Sequence, residues 1–332
     1  MASDACCAAG APLKHNYTRK GTMSTLADGT KLYLKSNGPR AILFVHDIFG
    51  FDCNQVRRRS AAATFQKVCW AVCGAQQARL GVEAALHHNS MQQTQCAVAQ
   101  VFQVADRLSE QGYSVAVPDF FGDNTWPLDK FPPPENDPKY NQDEFMKWVK
   151  SAGDVDGTSK KVKMVQEHMK KEHSATQFGI VGFCWGGGVS LHLASARQTV
   201  QSRVSLACNI VQCVQPSTAF ASFRPAGRAA GDTDFKGVAC CHPAFFGKEK
   251  EFAAAAQVPV CFLPSKDDPM DDPKAELDKK PFASQCFYHR FDEQMHGFMA
   301  GRGDFSDEKV SSAAGKGIEL LNGFFDKVMT AA

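Results

Sequence analysis

A chain of 332 residues, 44% hydrophobic and 22% charged, is long enough to bury a full core, and one large α/β domain suits that size. A formal net charge of only +2 excludes an extended basic field for nucleic acid, so Arg57-Arg-Arg59 and Lys170-Lys171 read as solvated surface. No stretch approaches the roughly 18 uninterrupted apolar residues of a membrane span, and Met1-Ala-Ser-Asp-Ala-Cys-Cys-Ala has no apolar signal core, so a cytoplasmic protein without a membrane partner is expected.

Taken in chain order, Lys31–Leu34 and Ala41–Val45 read as strands. Gln103–Gln111 has helical apolar spacing and leads into strand Ser114–Pro118. Pro132-Pro-Pro134 marks a lid-like loop. Helices follow over Asp143–Lys150 and Val155–Glu172, then a buried strand over Phe178–Phe183 with a helix from Trp185 to Ser195 behind it. Strands Gly237–Cys241 and Val258–Leu263, a shorter strand Phe287–Phe291 and a closing helix Ile318–Val328 complete the order. Alternation of this kind predicts an α/β fold with a mostly parallel sheet and helices on both faces. Asp47, Cys184, His242 and Asp267 then fall at the C-terminal ends of strands, on one edge of the sheet, where such folds keep their chemistry.

The decisive local pattern is Gly179-Ile-Val-Gly-Phe-Cys-Trp-Gly-Gly-Gly188, an apolar strand running into a glycine turn with Cys184 at the apex. This spacing is that of a nucleophile elbow, which carries its nucleophile on a strained strand-to-helix turn. Gly182 and Gly186 flank the cysteine because larger side chains there would meet strand or helix backbone. A thiol at a helix N-terminus is eased toward thiolate, a strong nucleophile near neutral pH. Taken alone the window also fits a small buried cysteine beside an ordinary turn. Downstream partners decide for chemistry. An acid is expected in Pro264-Ser-Lys-Asp267-Asp268-Pro269, beyond a buried strand, and a histidine at Met295-His296-Gly297. Position relative to the strand favours Asp267 over its neighbours Asp268, Asp271 and Asp272, which also read as a solvated run.

Together the elbow Gly182-Phe-Cys184-Trp-Gly-Gly, the early segment Val45-His-Asp47-Ile-Phe-Gly50, Cys241-His242-Pro243 and His296-Gly297-Phe298 resemble the dienelactone hydrolase, or carboxymethylenebutenolidase, family of the α/β-hydrolase superfamily. The resemblance runs from about Cys6 to the C-terminus with two interruptions. It implies an α/β-hydrolase fold and a catalytic triad of Cys184, Asp267 and His296. It further implies Asp47 as a polar group near the thiol and an oxyanion hole formed by the backbone N–H groups of Ile48 and Trp185. His296 would relay protons and Asp267 would fix its tautomer. Bacterial members bind a substrate carboxylate with two arginines. Here Arg302 follows the histidine, and the segment containing Trp126 supplies Lys130 and no arginine. Trp126, Arg302 and His242 are the substrate-binding candidates, and a generic small ester or lactone is the expected substrate.

Neither cofactor nor metal is expected. Thirteen cysteines read as reduced thiols, and Cys6-Cys7, Cys69 with Cys73, and Cys240-Cys241-His242 lack a second pair at zinc spacing. Two other functions use parts of the same pattern: a non-hydrolytic thiol sensor or hydrolase-fold binding protein built on Cys184, and a glucanase-type glycoside hydrolase with Asp47 and Asp267 as its carboxyl pair.

Residues 56–100 and 197–231 break the strand and helix rhythm of the single domain, 1–332. Both read as non-family insertions, with retained introns as one origin and a packed cap as the other. The first starts with valine, whose codons begin GT, and ends with glutamine, one of whose codons is CAG. Without both segments about 250 residues remain, an ordinary size for one domain.

Overall fold

A computed structural model describes residues 13, 17–51, 99–122, 124–126, 142–152, 155–195 and 234–330. Its strands are β1 Thr22–Thr25, β2 Lys31–Lys35, β3 Arg40–Val45, β4 Ser114–Pro118, β5 Gln177–Phe183, β6 Phe235–Cys241, β7 Val260–Leu263 and β8 Phe287–Tyr288. They form an 8-stranded sheet in the order β1-β2-β4-β3-β5-β6-β7-β8. β2 runs antiparallel to both β1 and β4, and every pairing from β4 across to β8 is parallel. This is the α/β-hydrolase sheet that the resemblance implied.

The described helices are α1 Ala99–Ser109, α2 Gln142–Ala152, α3 Val155–His173, α4 Trp185–Ser195, α5 Glu249–Ala255, α6 Asp271–Leu277 and α7 Glu308–Val328. Alternation along each strand divides the core in two. Ile42, Phe44, Val181 and Phe183 face α1 and α7, where Val104, Leu108, Leu321 and Phe325 are buried. Ala41, Leu43, Phe178 and Ile180 face α3 and α4, where Val162, Val165, Leu191 and Leu193 are buried. Parallel strands buried on both faces explain the continuous apolar runs seen in the sequence.

Two glycines inside strands make room for α7. A Cβ on Gly179 would lie 2.5 Å from a ring carbon of Phe325, and one on Gly237 would lie 2.8 Å from Phe324. The helix itself begins at Glu308, well before the expected Ile318, because Asp307 caps it by accepting the Lys309 and Val310 backbone N–H groups. Strand β1 and helices α5 and α6 were not anticipated. Each is short, and sequences such as Asp271-Asp-Pro-Lys-Ala-Glu-Leu277 carry too few apolar residues to show a period.

Lys130, the Pro132–Pro134 loop, the second insertion and nearly all of the first lie outside the described residues. Ala99 and Gln100, assigned to the first insertion, belong to α1. Gln100 is fully buried, and its Nε2 donates to the Gly303 carbonyl at 2.9 Å.

Candidate active site

Cys184 sits between β5 and α4 with φ +55°, a left-handed conformation that non-glycine residues seldom adopt. Hydrogen bonds hold the turn. The Cys184 N–H donates to the Cys241 carbonyl at 3.1 Å, and the Cys184 carbonyl accepts from Gly187 at 3.0 Å and Ala244 at 2.9 Å. The flanking glycines are sterically required. A Cβ on Gly182 would lie 1.9 Å from the Gly186 carbonyl oxygen, and one on Gly186 would lie 2.2 Å from that of Val45. Backbone of the elbow thus presses directly on the end of β3, and the side chain is 1% exposed. As the residue before Trp185 it also occupies the N-terminus of α4, where peptide dipoles favour negative charge.

The histidine and acid meet with one change from expectation. Asp268, not Asp267, contacts the imidazole: the Nδ1 of His296 donates to Asp268 Oδ1 at 2.6 Å, and both side chains are buried. Asp267 points outward with 57% of its side chain exposed and lies 3.8 Å from the Lys266 ammonium. The turn after β7 causes this. Ser265 bridges to Phe291, and its N–H and hydroxyl donate to Asp268 Oδ2 at 2.8 and 2.7 Å. Arg290 clamps the same turn, donating to the carbonyls of Ser265, Lys266 and Asp268. A side chain three residues beyond the serine is folded back, and the one before it is turned to water. Burial would raise the Asp268 pKa, but the charge and hydrogen bond of His296, with the Ser265 hydroxyl, lower it to about 2. A carboxylate on Nδ1 leaves Nε2 as the ring's proton-accepting nitrogen.

Asp47 follows β3 and is buried. Its Oδ1 accepts the Phe49 N–H at 3.0 Å and its Oδ2 the Gly301 N–H at 2.9 Å. It therefore ties the loop containing Ile48 to the loop that carries His296. Arg302 lies in that second loop, buried, with its guanidinium 5.1 Å from the centre of the Phe49 ring. Its alkyl chain covers Gly297, where a Cβ would come within 3.0 Å of it. The structure thus brings Arg302 to the site.

His242 follows β6 with φ +37° and is fully buried. Its ring lies 5.2 Å from that of His296, with Phe183 and Phe298 on other sides. Neither ring nitrogen has a hydrogen-bond partner among the described residues. Burial, reinforced by the neighbouring His296, pushes its pKa down to about 3, so the ring is neutral at pH 7. Trp126 is drawn into an aromatic group with Phe145 at 5.2 Å and Trp148 at 5.7 Å. That group reaches the elbow through Phe121, which meets both Trp148 and Trp185. Cys240, Cys241 and Cys261 are buried, with thiol pKa values raised by that burial. No cluster of His, Cys, Asp or Glu suited to a metal ion occurs among the described residues. Nor is any described helix long and apolar enough to cross a membrane.

Sequence reasoning missed Ser265 and Arg290, and the aspartate that bonds His296 lies one residue beyond the expected Asp267. A signal for the acid was present: serine at a strand end with aspartate three residues on is the pattern of a side-chain-closed turn.

The sequence model of the dienelactone hydrolase family matches residues 91–212, a span that includes the Cys184 elbow. An uncharacterized AIM2 family protein of Schizosaccharomyces pombe is 26% identical over 69% of this chain and 78% of its own length. A carboxymethylenebutenolidase homolog of Rattus norvegicus is 34% identical over 31% of this chain and 38% of its own length. A crystal structure of a putative dienelactone hydrolase from Klebsiella pneumoniae covers 93% of this chain and 99% of that one, with 12% identity and a TM-score of 0.49.

Proposed function

We propose that this chain, a relative of the dienelactone hydrolases, hydrolyses a small ester or lactone through a thioester on Cys184. The observation that carries the reading is a buried Asp268–His296 pair together with a strained cysteine elbow, with Cys184 and Asp268 following β5 and β7 at the C-terminal edge of the parallel strands. The Cys184 sulfur attacks the carbonyl carbon, and the oxyanion takes hydrogen bonds from the Ile48 and Trp185 N–H groups. His296, having received the thiol proton, returns it to the leaving oxygen as the C–O bond breaks. Water then gives a proton to His296 and attacks the thioester. The acid departs, and the sulfur recovers the proton.

Asp47 supports ionisation of the thiol when substrate arrives, while its bonds to Phe49 and Gly301 hold the two loops together. Arg302 supplies a cation for an anionic group on the substrate, and Trp126 and His242 contribute to the walls around it. A cytoplasmic setting suits a nucleophile that must stay reduced.

A panel of nitrophenyl esters and small lactones tests the reading, with mass spectrometry of the quenched enzyme. Turnover that vanishes in Cys184→Ala, with a transient acyl adduct on the Cys184 peptide, is expected. Undiminished hydrolysis by Cys184→Ala would remove the thioester route.

A further inference from the structure

His46 has no part in the chemistry above, yet it is buried at the centre of the loops that perform it. Its ring lies 5.5 Å from Phe120, 4.9 Å from Phe121 and 6.3 Å from Trp185, and is 1% exposed. Its Nδ1 is 2.8 Å from the Asp47 carbonyl oxygen. Its Nε2 lies 3.2 Å from the Phe120 backbone nitrogen. A carbonyl oxygen only accepts and a backbone N–H only donates, so the tautomer follows: Nδ1 carries the hydrogen and Nε2 the lone pair. Protonation would turn an Nε2–H against the Phe120 N–H. Burial, outweighing the nearby Asp119 carboxylate, lowers the pKa in the same sense.

The carbonyl bonded by His46, which also accepts the Gly50 N–H over a longer 3.3 Å, belongs to the peptide unit between Asp47 and Ile48. That unit is planar and trans, so its C=O and N–H point to opposite sides. Whatever aims the Asp47 oxygen at the imidazole therefore aims the Ile48 N–H the other way. The same ring stacks on Trp185, whose N–H is the second oxyanion donor proposed above. A Cβ on Gly186 would meet the His46 carbonyl oxygen at 2.6 Å, which shows how closely the elbow and this loop are packed.

We propose that His46 is a positioning residue that sets the Asp47–Ile48 peptide so that the Ile48 N–H faces the developing oxyanion. This rests on the acyl-transfer reading of the site. An oxyanion donor acts only if it is already aligned when charge develops, because reorienting a peptide during the reaction would cost what the hydrogen bond contributes.

The test compares His46→Phe, which keeps an aromatic ring and removes both nitrogens, with His46→Asn, whose side-chain amide can still donate to the Asp47 carbonyl. His46→Phe is expected to lower kcat about 100-fold, the scale of losing one oxyanion donor, with KM changed less than about threefold. Binding of an aldehyde that forms a thiohemiacetal on Cys184 falls by a similar factor, while alkylation by iodoacetamide, which forms no oxyanion, keeps its wild-type rate. His46→Asn recovers most of the loss. In a crystal structure of His46→Phe the Asp47–Ile48 peptide is rotated from its wild-type orientation. An unrotated peptide, or wild-type kcat in His46→Phe, overturns the inference. If His46→Phe does not fold, the His46→Asn crystal structure decides: an amide bonded to the Asp47 carbonyl supports the inference, and normal kcat without that bond defeats it. If the wild-type protein neither turns over esters nor binds the aldehyde, the functional reading is what fails, and peptide orientation in the variants still judges His46.

Discussion

Replacing Asp268 by Ala removes the carboxylate that accepts the His296 Nδ1 hydrogen at 2.6 Å, so the imidazole loses both its tautomer and the charge that stabilises its cation. Loss of kcat by about 10³- to 10⁴-fold is expected from that change. Asp267→Ala removes an exposed carboxylate near Lys266 and leaves kcat within about twofold, since solvated pairs of this kind contribute little. Parallel kinetics on the two variants check both statements, and the opposite ranking would return the acid to Asp267. The sequence showed that an acid follows β7. Which aspartate faced inward was decided by the Ser265 turn, a contact among four residues that no periodicity records.

A second prediction at this scale concerns His242. Two buried ring nitrogens without partners among the described residues cost about 1–3 kcal/mol each. His242→Phe keeps the ring's bulk and removes that cost, so the variant is expected to be the more stable protein. The pH dependence has a definite sign. Unfolded His242 takes a proton below its ordinary value of 6.5, whereas the folded ring does so only near 3. Its contribution to stability is thus present above 6.5 and lost as pH falls toward 3, at about 1.4 kcal/mol per pH unit. Denaturant titrations at pH 7 and pH 5 should show a smaller decline for His242→Phe than for wild type. Equal declines would mean that the buried ring titrates normally.

At the scale of elements, the elbow was legible because its requirement is local. Glycine is needed on both sides of Cys184 for want of space, and the spacing of those glycines states it. The apolar strands were legible too, because a parallel sheet covered on both faces leaves no polar alternation. Short pieces were not. Strand β1 is four residues of Thr-Met-Ser-Thr held by pairing with β2, and α5 and α6 are seven residues each; tertiary contacts rather than local propensity stabilise such elements. Gly179 belongs to the same class of hidden requirement, since a glycine inside a strand reads only as a weak residue. Gly179→Ala would drive its Cβ into Phe325 at 2.5 Å. Displacement of α7 should cost about 1–3 kcal/mol, and a melting curve unchanged from wild type would show that the helix adjusts freely.

For the molecule as a whole, the two irregular segments provide the test. Joining Gln55 to Val101 places a glutamine where Gln100 now stands, at a buried position whose side chain donates to the Gly303 carbonyl. The junction thus offers the same side chain for the buried hydrogen bond that Gln100 makes to the loop beyond His296. Joining Ala196 to Asp232 enters just after α4 ends at Ser195. The second join falls at a connection between elements and the first removes only the opening two residues of α1, and added or removed loop length changes the closure entropy only slowly. The double deletion is expected to be soluble, to hydrolyse the same esters, and to melt at or above the temperature of the full chain. An aggregated deletion variant beside a folded full-length protein would mean that the segments pack on this domain, and a full-length transcript would remove the intron origin.

By itself the sequence determined the α/β class, the order of the parallel strands' contributions, the elbow with Cys184 and the loop with His296, because each rests on residue type at fixed spacing along the chain. Tertiary structure alone decided that Asp268 is the carboxylate on His296, that Asp47 bridges two loops, that Arg302 lies against Phe49 and that His46 bonds the Asp47 carbonyl. The physical reason is common to all four. Each depends on which way a polar group points once segments distant in the chain are packed, and direction across a packed contact is not a function of spacing along either segment.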